Sequence, residues 1–294
     1  MPNVMLFASN LHNPSHMEWT NDGRLLVSEH SAGQIKDITA GGNALNIPPF
    51  AFNLKGPAGI LPRSDGSILV AETWGGTIRD IASGGDMSST TPYSQNLSAP
   101  YSLVERELSG VPQVFVSEMY NGRDSWIDNI TDGANPKRYV DEIPARPGAA
   151  GPTPLSSWPD EWQKFAGSGC VINWQDGKGS VHYIAVGSLG MILDVSSSGG
   201  KYFDLLINKK AIAWDLQRVG GIKLHPTNGL LYAVEPEAGN VIAINPSTPK
   251  SYRFEPPVIR GLTRPTCIRF SEDGLIMYVC GQGEGVIWKV TDFT

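Results

Sequence analysis

Short apolar runs rich in β-branched residues recur along the chain, at 25–29, 68–72, 114–118, 181–186, 230–235 and 275–280. A tight-turn signal precedes each: Asn21-Asp22-Gly23, Asp65-Gly66, Leu108-Ser109-Gly110, Asp176-Gly177, Asn228-Gly229 and Asp273-Gly274. Asp-Gly or Asn-Gly between apolar runs is a strong hairpin signal. A further strand-like run follows each, at 35–38, 78–81, 126–127, 191–193, 241–244 and 286–288. Runs this short are strands, not helices.

The strands belong to a repeat. Phe7-Ala8-Ser9-Asn10-Leu11-His12-Asn13-Pro14 returns as Phe50-Ala51-Phe52-Asn53-Leu54-Lys55-Gly56-Pro57 and as Tyr93-Ser94-Gln95-Asn96-Leu97-Ser98-Ala99-Pro100, so the prolines stand at 14, 57 and 100. A fixed period of this length marks one supersecondary unit laid side by side. Six units of about four strands predict an all-β, six-bladed β-propeller forming a single domain over 1–294. The blades fall at about 11–52, 54–95, 97–140, 167–206, 216–256 and 262–294, the last completed by 4–10, with a lid insertion at 141–166. The fourth-strand sequence at 4–10 has no blade of its own, so the N-terminal strand is expected to close the ring.

Composition narrows the function classes. Only 18% of the 294 residues are charged, Gly and Pro number 33 and 22, and the formal charge is −6. Without Lys/Arg runs there is no footprint for nucleic acid or anionic lipid. No apolar run reaches the length of a membrane helix, so the expectation is a soluble protein, secreted or periplasmic or else cytoplasmic, with no membrane partner. Oligomeric state is left open. Cys170, Cys267 and Cys280 show no metal-ligand spacing and read as buried apolar side chains. No dinucleotide, phosphate-loop or zinc motif occurs, so no redox cofactor is indicated.

Candidate chemistry gathers on one face, where inner strands begin and second strands end. Glu29, Glu72, Glu118 and Glu235 share one repeat position at the ends of second strands. A residue repeated around a ring can be structural, accepting backbone N–H bonds from an adjoining turn. It can equally form a carboxylate cluster that holds a proton or a divalent cation, Ca or Mg, with Glu29, Glu72 and Glu235 as ligands. Two places after the repeated Pro position the blades read His16, Gly59, Ser102, Cys170, Gly221 and Cys267, so His16 interrupts a column of small residues. His16 with Glu29 and Glu72 is the expected reacting set, Glu118 and Glu235 being further carboxylates. His12, His30, Trp74, Tyr101, Tyr120, Arg218, Arg264 and Gln282 are expected around a substrate, under a lid contributing Trp158 and Trp162. A second insertion at 207–217 is expected to bring Lys209, Lys210 and Trp214 to the same rim.

The repeat resembles that of NHL-type six-bladed propellers over essentially the whole chain, and is similar to propeller proteins of scytonemin gene clusters. More distantly it resembles virginiamycin B lyase, gluconolactonase and strictosidine-synthase-like propellers. The lyase repeat ends its strand in Thr-Glu and continues to an Ile-Gly-Arg-Ile run, and 28–38 and 71–81 are similar. The lyase's histidine position, directly after the repeated Pro, holds Ser15 and Tyr101 here, and the lactonase Glu-Gly-Pro opening is Asn13-Pro14. A funnel of Glu, His, Arg, Tyr and Trp under a lid suits a small-molecule enzyme working by general acid/base or divalent-metal chemistry, of lyase, cyclase or lactone-hydrolase type. The competing class is a propeller that binds a protein or glycan through its lid and rim without catalysis.

Overall fold

The computed structural model describes residues 2–118, 124–144 and 173–293. Six sheets surround one axis, and the six innermost strands contact one another in order all the way round. Blade 1 is Pro14–Trp19, Leu25–Glu29, Gln34–Asp37 and Pro49–Phe52. Blade 3 is Pro100–Leu108, Val111–Glu118, Asp124–Asn129 and Lys137–Pro144, and blade 4 is Asn173–Lys178, Val181–Val186, Met191–Asp194 and Ala211–Trp214. In blade 2 (Pro57–Pro62, Ile68–Glu72, Thr77–Asp80) and blade 5 (Ile222–Leu224, Leu231–Glu235, Asn240–Ile244) the fourth strand shrinks to one bridge, Ile78 to Ser94 and Val241 to Ile259. Four strands per blade is therefore the rule for four blades, not for all six.

Blade 6 shows how the ring is held. Its strands Pro265–Phe270, Met277–Gly281 and Val286–Thr291 take Asn3–Ser9 as their outermost member, in antiparallel register from Asn3 opposite Thr291 to Ala8 opposite Ile287. The first strand of the chain thus completes the last blade.

The Gly pairs of the repeat have a separate task. Two-residue segments Gly42–Asn43, Gly85–Asp86, Gly200–Lys201 and Lys250–Ser251 each pair in parallel with the outermost strand of the preceding blade. This covers an edge that would otherwise expose unpaired backbone groups. A Cβ on Gly41 would come 2.5 Å from the Phe7 carbonyl oxygen, and one on Gly84 2.9 Å from that of Phe50. The repeated asparagines serve the same junctions. Asn10, Asn53 and Asn96 all have φ near +60°, which Asn tolerates, and the Asn10 and Asn53 amides reach Asn43 and Asp86 at 3.0 Å.

Blade 4 departs from the sequence reading. Asp176-Gly177 is not a turn: it lies inside Asn173–Lys178, and the hairpin turns at Gly179-Ser180, with φ +59° at Gly179. The segment expected as a rim insertion at 207–217 instead follows the short helix Tyr202–Ile207 and forms the outer, fourth strand of blade 4, Ala211–Trp214. No helix among the described residues is long and apolar enough to cross a membrane.

Deleting residues 1–10 removes the strand that joins the chain's two ends. Thermal unfolding followed by circular dichroism should show a large drop in Tm or loss of soluble protein, and an unchanged Tm would contradict this account of closure.

Candidate functional site

The four strand-end glutamates are buried, and each accepts a backbone N–H from the loop entering its own inner strand. Glu29 takes that of His12 at 2.6 Å, Glu72 that of Lys55 at 2.8 Å, Glu118 that of Ser98 at 2.5 Å and Glu235 that of Gln217 at 2.7 Å. The second oxygen looks to the third strand. Glu29 accepts from Gln34 at 2.5 Å with Lys36 3.7 Å away, Glu72 from Thr77 at 2.5 Å and Arg79 at 2.6 Å, and Glu235 from Asn240 at 3.1 Å. The expectation that these carboxylates face the funnel is corrected: they clasp the loops that shape it and do not line it. Nor do Glu29, Glu72 and Glu235 fit a metal, since both oxygens of each already accept from N–H, O–H or cationic donors. Among the described residues no group of three or more His, Cys, Asp or Glu is placed to hold an ion.

Glu118 differs from the others. The third-strand position that offers Lys36 in blade 1 and Arg79 in blade 2 offers Asp128 in blade 3. Among the described residues its Oε1 makes no hydrogen bond, and burial first, then Asp128, push the carboxyl up to about 8 against the opposing Ser98 N–H and the Trp126 side chain. Arg138 does not compensate, because it pairs with Asp128 at 2.7 Å.

Strand register corrects the axial column to His16, Gly59, Ser102, Trp174, Gly221 and Cys267. Cys170 lies outside the described residues. Two large side chains therefore interrupt the column, from blades 1 and 4 on opposite sides of the ring, and they stack with centroids 5.4 Å apart and planes 10° from parallel. His16 is buried, its Nδ1 accepts the Ile60 N–H at 3.2 Å, and Arg269 Nη2 lies 2.7 Å from Nε2. Burial, then the charges of Arg269 and Lys223, hold the ring well below the usual range, hence neutral. This places His16 below the site rather than in it. Arg269 in turn meets Glu18 at 2.7 Å, and Lys223 bridges Glu18 and Asp176 at 3.5 and 3.2 Å.

Above this plug opens a cavity of about 880 Å³. Of the expected residues, His30, Trp74, Tyr101, Arg218, Arg264 and Gln282 line it, whereas the side chains of His12 and His16 do not. Tyr120, Trp158 and Trp162 lie outside the described residues. Trp174 and Tyr101, edge-on at 5.3 Å, make the floor, with Ser15 and Thr266 beside them. Sequence reasoning missed Trp174 because the false turn at Asp176-Gly177 shifted the frame of blade 4.

Burial lowers His30 to about 4, so its imidazole is neutral near pH 7. It packs edge-on to Trp74 at 4.6 Å. Trp74 is 57% exposed, and the space a Cβ would need on Gly56 is filled by the Trp74 ring. Burial raises the Tyr101 phenol, leaving it a neutral donor, with Ser15 partly opposing the shift. On the far rim Arg218 donates to Glu237 at 2.7 Å, while the Arg264 guanidinium has no partner among the described residues. Arg218 and Arg264 occupy one repeat position with Asn13, Gly56 and Ala99, and all five backbones are left-handed, with φ from +47° to +65°. For residues other than Gly or Asn this conformation costs roughly 1–2 kcal/mol.

No family model matches the chain, and no curated protein does. Solved structures do resemble it. Virginiamycin B lyase from Staphylococcus aureus superposes with a TM-score of 0.55 at 15% identity, covering 99% of each chain. A gluconolactonase from Xanthomonas campestris gives 0.61 at 9% identity, over 99% of this chain and 89% of that one. A luciferin-regenerating enzyme gives 0.68 at 10%, over 99% and 95%. The likeness is one of fold: all are propellers of the same build.

The clasps predict unequal mutational costs. Glu72→Ala strands Arg79 and the Lys55 N–H in a buried setting and should cost about 3–5 kcal/mol in urea unfolding. Glu118→Gln should cost nothing at pH 7 or stabilise. The Glu118 carboxyl titrates from near 4.5 when unfolded to about 8 when folded, so its penalty accrues as pH rises between those values. The advantage of Glu118→Gln over the parent should grow across that window, and a pH-independent difference would contradict the raised titration of Glu118.

Proposed function

We propose that the protein is an enzyme that binds a small organic molecule in the axial cavity and acts on it by proton transfer, in the range of lyases and lactone hydrolases. The observation that carries this reading is the plugged cavity itself: a funnel closed below by Trp174 and lined by His30, Tyr101, Arg218, Arg264 and Gln282. Large concave sites with an apolar floor and a few polar groups are what small ligands need. The similar lyase from S. aureus has been solved, as a catalytically inactive histidine-to-alanine variant, with quinupristin.

Within the cavity each group has a role its environment suits. His30, neutral and partly buried, accepts a proton. Tyr101, a phenol that burial keeps protonated, donates a hydrogen bond or a proton. Arg264 stabilises negative charge that develops as a bond breaks. Water is excluded at the floor by the Trp174 and Tyr101 rings. No step passes through the strand-end carboxylates, which are held in the clasps.

A second reading has its own support. Among the described residues the cavity's one carboxylate, Glu237, is tied to Arg218, and a histidine lowered to about 4 is a weak base at neutral pH. A propeller that binds its ligand without turning it over would look the same.

A panel of lactones and cyclic depsipeptides, followed by mass spectrometry, separates the two. The enzyme reading expects turnover that falls at least a hundredfold in His30→Ala with unfolding unchanged. Because His30 must be neutral to accept a proton, kcat/KM should be flat at neutral pH and fall as pH drops through about 4. Chelation should leave the rate unchanged. Binding without turnover favours the second reading, and a stoichiometric divalent ion lost together with activity would overturn these roles.

A further inference from the structure

We infer that the ligand of the axial cavity is a monoanion, a carboxylate carried on a flat aromatic body, gripped by Arg264 on the blade 6 rim and stacked on Trp74 across the mouth. The inference rests on the proposed reading of the cavity as a small-molecule site and names the class of molecule it takes.

The repeat supplies the first argument. At one repeat position on the approach to the inner strand the chain turns left-handed in five blades, and blades 1 to 3 meet this with Asn13, Gly56 and Ala99. Asn and Gly adopt that conformation readily, and Ala at least adds little bulk. Blades 5 and 6, which are neighbours, place Arg218 and Arg264 there, at φ +48° and +47°. Long charged side chains are not what this backbone conformation favours, and both line the cavity. Strain kept at the mouth of a site points from the outlier to a use.

The charge balance supplies the second. Arg218 is answered by Glu237 at 2.7 Å, Arg264 by nothing among the described residues, and no other ionised side chain among them lines the cavity. His30 is neutral near pH 7. Counted over the described residues, the cavity lining carries one net positive charge. That suits a monoanion, and Glu237 would repel a second negative charge. The Arg264 backbone is itself held, its carbonyl accepting the Gln282 N–H at 3.1 Å, so the guanidinium projects from a fixed point.

The aromatic wall supplies the third. Trp74 leaves more than half of its surface open at the rim, its ring laid against Gly56 and its orientation fixed by His30. A large ring held open beside a cavity offers a stacking surface for another flat ring. A molecule reaching from blade 6 to blade 2 passes Asn13, Ser15 and His30, all able to hydrogen-bond to it.

Isothermal titration of the intact protein with trans-cinnamate, its neutral isostere cinnamamide, phenyl phosphate and glucuronate tests the assignment. Cinnamate should bind at least tenfold more tightly than each of the other three. Arg264→Gly should weaken cinnamate at least tenfold and leave cinnamamide unchanged, with an equal or higher Tm because Gly relieves the left-handed position. Arg264→Lys should recover part of the affinity. Equal binding of cinnamate and cinnamamide, or an Arg264→Gly protein that binds cinnamate as well as the parent, overturns the carboxylate grip while the cavity reading stands. Preference for phenyl phosphate overturns the monoanion, and preference for glucuronate overturns the aromatic body. If none of the four binds, the cavity reading falls along with this one.

Discussion

Six strands converging on one axis leave almost no room for side chains, and this crowding governs the rest of the molecule. A Cβ on Gly59 would sit 2.4 Å from the Tyr101 carbonyl oxygen, and one on Gly221 2.5 Å from that of Thr266. With Gly59, Ser102, Gly221 and Cys267 held small, the remaining space is taken by one ring from each side, His16 from blade 1 and Trp174 from blade 4. That stack divides the channel. Below it, buried charges pair off as Arg269 with Glu18 and as Lys223 with Asp176. Above it lies a pocket whose floor is apolar and whose rim is free to vary.

The rim is fixed by a second device, the glutamate at the end of a second strand. A carboxylate buried between a loop N–H and a third-strand donor fixes the loop more firmly than a neutral acceptor would, because hydrogen bonds to an ionised group are stronger. The partner varies from blade to blade with little change in the clasp: Lys36 and Gln34, Arg79 and Thr77, Asn240. Blade 3 keeps the N–H half of the clasp at Ser98 and loses the cationic half, because Asp128 stands where blades 1 and 2 have a base. Retaining a proton is the least costly way for that carboxyl to stay buried, which is why it titrates so far from the ordinary carboxylate range.

Much of this was legible in the sequence, and the parts that were not have physical causes. Proline at 14, 57 and 100, with Asn-Leu four and three places before it, reports local backbone geometry, so the fold and the rim face could be read from it directly. Whether a carboxylate points into a funnel or back into its own loop is decided by one torsion angle and by third-strand neighbours such as Arg79, which periodicity does not reveal. Glu29 and Glu72, expected among the reacting groups, are held instead in bonds to backbone N–H and third-strand donors, the alternative that the repeat also offered. In blade 4 the failure was one of register. Asp176-Gly177 has turn composition, yet Asp176 is kept in the strand by Lys223 at 3.2 Å and by the Leu224 N–H at 2.6 Å, both from the next blade. A long-range ion pair overrode a local signal, and Trp174 was lost from the expected site with it.

The same contrast between local rule and tertiary demand sets the character of the site. Wherever the repeat is obeyed at the left-handed position, as at Asn13, Gly56 and Ala99, the residue suits its backbone and carries little chemistry. Where it is broken, at Arg218 and Arg264, local fitness is given up for a guanidinium at the mouth of the cavity. A ring of six near-identical units can absorb such losses, because its stability is spread over sheets, edge locks and clasps that do not touch these two positions. The site is thus confined to what the scaffold leaves unconstrained: the axial column where two rings replace small residues, and the rim where two arginines replace residues that would turn more easily.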